Sequence, residues 1–415
     1  MKVDLQNLPG LYLLSLETCV SCGNCLVECP TYKASNERIH IPGARMKGIM
    51  QAYRKARLAP EFVNESFGRM IWECTLCGYC QEACPFDIRT NPIYLAVRSA
   101  LYKACLVPEQ TLKLAKILKE SHNILGKPND KRIAWFEFRS RKNSRLIKKL
   151  GVDSAPNYCE LRIEDIVREK AETIYFVGCN SSFFMGLSGI PDAMVRILHH
   201  AGIEFTLLAE DEWCCGYPLL LSGDLEGFRE AAKHNIEVIR RRGAKRVVFT
   251  CAGCYKVFKY YYARIADLNL DFDVLHSTQL ISQLYREGKL KKINGATKVT
   301  YHDPCDIGRH GNIYEEPRAV IKMSGYSLVE MDKHCEESAC CGGGGLLKST
   351  SPELSSEIAS ERVAQAIKTK AEILSSGCPS CIITLKEAVQ SSNSKLKVLD
   401  IVEIVALSHG LIPRQ

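Results

Sequence analysis

One five-cysteine pattern occurs twice in this chain: a single cysteine, an adjacent pair, then C-x-x-C. The first copy is Cys179, Cys214, Cys215, Cys251 and Cys254, and the second is Cys305, Cys340, Cys341, Cys378 and Cys381. The first three cysteines of the second copy follow their counterparts by 126 positions and the last two by 127. Such a frame is a duplicated unit, so the fold must contain two similar domains, each gathering five sulfurs from distant sequence. Five thiolates exceed the four ligands of a tetrahedral zinc or a cubane iron–sulfur cluster. Each unit therefore requires an unusual metal site, and the pairs Cys214–Cys215 and Cys340–Cys341 are the candidate catalytic cysteines.

The sequence around each copy reads as α/β. In the first, TIYFVG is a strand leading to Cys179, IPDAMVRILHHAG a helix, IEFTLL a strand, GFREAAKHNIEVIRRRG a helix, and KRVVFT a strand before Cys251. The second repeats the order with VTYHDP, YSLVEM, ELSSEIASERVAQAIKTK and AEILSSG. Strands alternating with helices predict parallel, Rossmann-like sheets with functional atoms at the carboxyl ends of the strands. Three strand ends per repeat would then deliver the five thiolates, and each C-x-x-C would open a helix whose N-terminus favours thiolate and cluster charge. An adjacent Cys-Cys pair on a regular strand points its side chains to opposite faces. Gly216, Gly342 and Gly343 are therefore expected to kink the backbone and bare amide N–H groups toward a cofactor. The run Gly342–Gly345 lacks the spacing of a phosphate-binding P-loop.

Eight further cysteines form a second duplication, Cys19, Cys22, Cys25, Cys29-Pro30 and Cys74, Cys77, Cys80, Cys84-Pro85, each member offset by 55. This C-x2-C-x2-C-x3-C-P run is the bacterial ferredoxin arrangement for two [4Fe–4S] cubanes, in which the fourth cysteine of each run serves the other cluster. Cys19, Cys22, Cys25 and Cys84 are thus assigned to one cubane, and Cys74, Cys77, Cys80 and Cys29 to the other. Zinc ribbons also use C-x2-C pairs, but four cysteines within eleven residues, twice, each closed by proline, disfavour zinc. About 44 residues separate the halves, including the helix-like MKGIMQAYRKARL, so helices are expected to carry them. Cys105, Cys159 and Cys335 have no partner in either repeat and read as small buried hydrophobes.

The 415 residues divide into a two-cluster module (1–110), a basic helical connector (111–172) and two cysteine-rich domains (173–295 and 296–415). Thiolates spaced as metal ligands imply a reducing, cytoplasmic setting. The N-terminus reads as having no signal peptide, and no apolar stretch is long enough to span a bilayer. Between Lys131 and Lys149 eight basic residues (Lys131, Arg132, Arg139, Arg141, Lys142, Arg145, Lys148, Lys149) face one acid, Glu137, which reads as a solvated linker face. Docking to an acidic partner or an anionic membrane surface is the other reading of that charge. No RNP-type motif or zinc-finger spacing accompanies it, which argues against nucleic acid.

Two C-x34-CC-x35/36-C-x-x-C units behind a two-cluster ferredoxin module resemble the D subunit of heterodisulfide reductase and its relatives, the family of twin CCG cysteine-rich domains. The resemblance covers nearly the whole chain. It implies a noncubane [4Fe–4S] cluster at Cys179, Cys214, Cys215, Cys251 and Cys254, and another at Cys305, Cys340, Cys341, Cys378 and Cys381, facing each other across a small disulfide or thiol substrate. A membrane cytochrome b-type or quinone-linked partner would supply electrons, placing the chain peripherally at the inner face of the membrane. Iron–sulfur subunits of glycolate, lactate and glycerol-3-phosphate dehydrogenases are similar as well, and there a flavoprotein dehydrogenase subunit is the partner and the role is electron relay. The chain has no G-x-G-x-x-G fingerprint for a flavin or nicotinamide of its own. An iron–sulfur sensor or scaffold is a third reading, with no output module to serve it. Two complete five-cysteine sets favour the disulfide reductase reading. His302 and His310, flanking Cys305, are proton-donor candidates, weighed against ordinary surface histidines.

Overall fold

The computed structural model describes residues 3, 5–55 and 64–414. The expected helix over 46–58 lies within Pro42–Lys55 up to Lys55, and its last three residues fall outside the described part, as do Met1, Lys2 and Asp4 of the N-terminal stretch.

The two cysteine repeats form two four-stranded, all-parallel sheets. In the first, β1 (Thr173–Phe176), β2 (Phe205–Thr206), β3 (Arg246–Phe249) and β4 (Asp273–His276) lie in the order β2-β1-β3-β4. In the second, β5 (Lys298–His302), β6 (Ser327–Leu328), β7 (Ile373–Ser376) and β8 (Lys397–Asp400) lie in the order β6-β5-β7-β8. The register is duplicated too: Phe176 pairs with Phe249, and His302 with Ser376. The central strands are buried along nearly their whole length, which is why they read as continuous apolar runs. The edge strands β4 and β8 are the ones that the sequence pattern does not reveal. DVLH and KVLD are short, and each runs directly into a helix, Ser277–Arg286 or Ile401–Ser408, through a capping box.

In each sheet the chain leaves the first central strand toward one edge and returns on the other side, so the crevice at the carboxyl ends of β1/β3 and of β5/β7 is a topological switch point. Cys179 follows β1 and Cys251 follows β3; Cys305 and Cys378 hold the same places in the second repeat. The adjacent pairs do not sit at a strand end as expected. Cys214 and Cys340 lie well beyond the two-residue strands β2 and β6, each past a 3-10 turn, Ala209–Asp211 or Cys335–Glu337. Gly216 (φ +79°) and Gly342 (φ +80°), each directly after the pair, take the left-handed conformation that turns the backbone there.

The N-terminal module is helical, with Pro42–Lys55, Glu65–Trp72 and Thr90–Lys103 packed around the cysteine loops. Its second half docks on the cysteine repeats. Arg98, fully buried, donates to five carbonyls: Ile71, Trp72 and Cys74 of its own module, Leu221 of the first repeat and Gly345 of the second. A Cβ on Gly345 would collide with the carbonyl of Cys74, and one on Gly344 would meet Thr75. The glycine run thus serves as the seat of the N-terminal module.

Candidate functional site

All ten cysteines of the two repeats line one cavity of about 500 Å³ between the sheets. Its remaining wall is largely apolar, with Leu114, Ile124 and Leu125 from the connector and Leu221 and Ile383 from the repeats. A larger groove of about 1470 Å³ runs along Lys142, Lys386 and Lys397 and carries no thiol. Pseudo-equivalent residues tie the repeats together across the cavity. Asn180, after Cys179, donates to Ser380 Oγ at 3.0 Å, and Asp306, after Cys305, accepts from the buried Lys256 at 2.8 Å.

The sulfurs crowd. Cys341 Sγ lies 3.2 Å from Cys381 Sγ, and Cys251 and Cys378 interact directly across the boundary between the repeats. Hydrogen bonding from Cys214 and then Cys254 holds the Cys215 thiol down at about 6, whereas hydrogen bonding to Cys341 pushes Cys340 up to about 12. Thiols at such distances cannot each keep a proton and an independent environment. A thiophilic metal that replaces the protons resolves the crowding. Cys251 and Cys378 sit at the N-caps of Ala252–Lys256 and Pro379–Ser391, placing the C-x-x-C motifs at helix starts.

Apart from Trp135, the largest fully buried side chains are four arginines, Arg45, Arg98, Arg132 and Arg362, and each is within electrostatic reach of a cysteine set. Arg132 lies 4.0 Å from Cys179 Sγ and pairs at 2.8 Å with Glu212, whose carboxylate also accepts the N–H groups of Val177 and Gly178. Arg45 donates to the Met70 and Glu73 carbonyls and to Thr31 Oγ1, beside Cys29 and Cys74. Among the described residues, Arg98 and Arg362 make hydrogen bonds only to neutral acceptors. A buried cation without a carboxylate demands an anionic neighbour, and the thiolate sets supply it. All-sulfur donors with buried counter-charges fit iron–sulfur clusters.

In the N-terminal module, Cys29 is within electrostatic reach of Cys74 and Cys80, so the fourth cysteine of the first run faces the second set. Cys25 faces Cys19, and the short helix Tyr79–Glu82 preceding Cys84 packs on the turn Asn24–Leu26. Cys77 interacts directly with Cys340, which, ahead of its burial, pushes the Cys77 thiol up. The second N-terminal set therefore abuts the second repeat.

Three expectations are corrected. Cys105 and Cys159 are exposed and Cys335 half-buried, because they lie at helix ends and in loops outside the core. His302 is 1% exposed, and burial lowers its pKa to about 3; His310 packs on Gly78 and the Leu76 carbonyl, so neither is a surface histidine. Arg132 and Arg139 leave the basic face, the former for Glu212 and the latter for Asp192. Nothing in their seven-residue separation on the connector marks them, since both partners are distant in sequence. The same holds for the pairs Lys256–Asp306 and Arg362–His302.

The cysteine-rich domain (CCG) matches residues 173–259 and 299–386, and the 4Fe-4S dicluster domain matches 15–88. The D subunit of dihydromethanophenazine:CoB--CoM heterodisulfide reductase of Methanosarcina barkeri is 34% identical, over 99% of this chain and 98% of its own length. EtfAB:quinone oxidoreductase of Syntrophomonas wolfei is 25% identical over 95% of this chain and 58% of its own length. The B subunit of fumarate reductase (CoM/CoB) of Methanothermobacter marburgensis is 25% identical over 95% of this chain and 73% of its own length. A crystal structure of a hypothetical protein from Helicobacter pylori shares the fold, with a TM-score of 0.55 at 9% identity, covering 98% of this chain and 74% of that one.

Proposed function

Since the chain belongs to the family of iron–sulfur proteins with twin cysteine-rich domains that includes the D subunit of heterodisulfide reductase, we propose that it passes electrons through two cubane [4Fe–4S] clusters to two noncubane [4Fe–4S] clusters and there reduces a small disulfide. The reverse reaction, oxidation of two thiols, uses the same site. The observation that carries this reading is that both five-cysteine sets open onto one cavity. A relay needs one site close to the next. Two sites facing one shared cavity suit a substrate that splits into two sulfurs.

Cys19, Cys22, Cys25 and Cys84 would hold one cubane and Cys74, Cys77, Cys80 and Cys29 the other, with the two five-cysteine sets holding the noncubane clusters. Bound there, the clusters supply single electrons and iron open to a substrate sulfur. The reaction consumes two electrons and two protons per disulfide and yields two thiols. The chain's own residues do the rest. Leu114, Ile124, Leu125, Leu221 and Ile383 keep the cavity wall apolar, so water competes poorly for a thiolate formed inside it. The Asn180–Ser380 and Lys256–Asp306 contacts fix the separation of the two cysteine sets. Among the described residues no helix is long and apolar enough to cross a membrane. A membrane cytochrome b-type or quinone-linked partner at the inner face of the membrane would deliver the electrons.

Anaerobically reconstituted protein should carry about sixteen irons, four clusters of four. A thiol substrate should perturb the EPR signal of an oxidised cluster in the repeats, and Cys341→Ser should abolish that response while leaving the N-terminal signals intact. About eight irons would overturn the noncubane assignment. An unchanged thiol response in Cys341→Ser would overturn the substrate role and leave electron relay to a flavoprotein partner.

A further inference from the structure

We propose that His302 and Arg362 hold the second five-cysteine site at a higher reduction potential than the first, so that an electron leaving the N-terminal module settles on the second repeat. The proposal rests on the reading that both sets hold iron–sulfur clusters. It concerns the residues behind the sulfurs, and it is independent of which substrate enters the cavity.

One imidazole nitrogen of His302 lies within 4.8 Å of the sulfurs of both Cys341 and Cys381. Arg362 Nε donates to His302 Nδ1 at 3.0 Å. A guanidinium is a donor only, so Nδ1 carries the lone pair and the ring proton is on Nε2. Among the described residues no hydrogen bond takes up that Nε2–H. An N–H beside cluster sulfur favours the reduced, more negative state, one of the levers that set cluster potentials.

Arg362 adds a full positive charge. It is fully buried, and its donors end on His302 Nδ1, the Lys333 carbonyl, Gln365 Oε1 and Ser338 Oγ, none of them anionic. The carboxylate nearest in effect, Asp303, acts on Arg362 ahead of Cys341 and Cys340, but both its oxygens accept from Arg318, so among the described residues Arg362 itself has no hydrogen-bonded carboxylate. A cation held near a group that gains negative charge stabilises the reduced form.

In the first repeat the corresponding N–H belongs to Arg132, 4.0 Å from Cys179 Sγ, and it comes from a cation already paired with a carboxylate. The residue equivalent to His302 is Phe176: each ends its central strand, and each pairs with the last residue of the neighbouring one, Ser376 or Phe249. The helices Leu225–Arg241 and Pro352–Lys368 are offset by 127 throughout, which sets Asn235 where the second repeat has Arg362. Asn235 is neutral, and it bonds the backbone of Trp213 and Cys214 and the Tyr262 hydroxyl. The cation beside the first set, Arg132, is offset by Glu212 at 2.8 Å. The second site is also the one that touches the N-terminal module, through Cys77 and Cys340. The step is a single electron moving from that module to the second site, with no bond made or broken and no proton transferred; an external one-electron donor, dithionite in the test, replaces it.

The test is a potentiometric EPR titration of the full chain, anaerobically reconstituted, with iron counted in every sample. His302→Phe and Arg362→Asn, which install the first repeat's residues, should each lower one repeat-cluster potential by about tenfold in reduction equilibrium, about 59 mV for one electron. The N-terminal signals should stay in place. His302→Gln, which keeps an N–H, should recover part of the shift, and Phe176→His should raise the other repeat's potential. Unchanged potentials in both variants at about sixteen irons would overturn the proposal and leave the functional reading standing. Loss of about four irons from His302→Phe alone would make His302 a ligand and overturn its tuning role. About eight irons in the unsubstituted protein would instead remove the reading on which the proposal rests.

Discussion

Cys22 stands exposed in a loop that also exposes Val20 and Val27, whereas Cys77, at the same place in the second copy of the motif, is buried against Cys340 of the second repeat. The identical spacing gives both halves the same local chemistry. Their surroundings give them opposite assignments. The first half keeps apolar side chains in water, with Leu11 and Leu14 nearby in sequence, and of the second half Phe86, after Cys84-Pro85, is exposed as well. The second half is sealed by Arg98, by Gly344 and Gly345, and by Arg309 and His310, which reach the carbonyls of Cys77 and Leu76. On the proposed function, the open half would meet the donor and the sealed half would hand electrons inward.

The most severe way to break this contrast is Gly345→Val. Its φ is +64°, and the added Cβ would strike the Cys74 carbonyl, so the inward half would be pushed off its seat. We expect a loss of more than about 3 kcal/mol in thermal or denaturant unfolding. Retention of wild-type stability would show that the second half is not docked as described.

A milder lever is pH. Burial holds His310 well below its usual pKa, with Lys256 adding to the effect, so the folded state resists protonating it while the unfolded chain takes a proton near 6.5. Its contribution to docking is complete above that value and falls as pH drops below it. Hydrogen exchange around Leu76–Cys80 should therefore quicken between pH 7 and pH 5, and exchange around Cys19–Cys25 should not. Replacing His310 by Gln should flatten that difference; equal acceleration of both halves would contradict it.

The smallest effect on stability is expected at the outward face. Val27→Asn and Phe86→Ser, at residues 65% and 54% exposed, should leave unfolding within about 0.5 kcal/mol of wild type. Reduction by a physiological protein donor should slow, while reduction by dithionite should not. Equal rates with both donors would assign electron intake to another face.

What can be read in advance follows a simple physical division. Local spacing reports local geometry: the C-x-x-C motifs at helix starts and the strands β1, β3, β5 and β7 follow from periodicity and short separations. The position of Cys214–Cys215 departs from the pattern because a two-residue β2 leaves a loop longer than the alternation implies. The buried arginines are illegible. Arg98 reaches Leu221 and Gly345, 123 and 247 positions away, and no helical period anticipates such a partner. Charge at Arg132 reads as solvated surface for the same reason.

Arg45, Arg98, Arg132 and Arg362 have a consequence for the life of the polypeptide. Without iron, these guanidiniums remain in the core among carbonyls and hydroxyls, with Glu212 beside Arg132, and the crowded sulfurs near them carry less negative charge than a metal-bound set would. Cluster loading would fix negative charge beside them, so loaded protein is expected to unfold at a higher temperature than metal-free protein, as where metal affinity is part of the folding free energy.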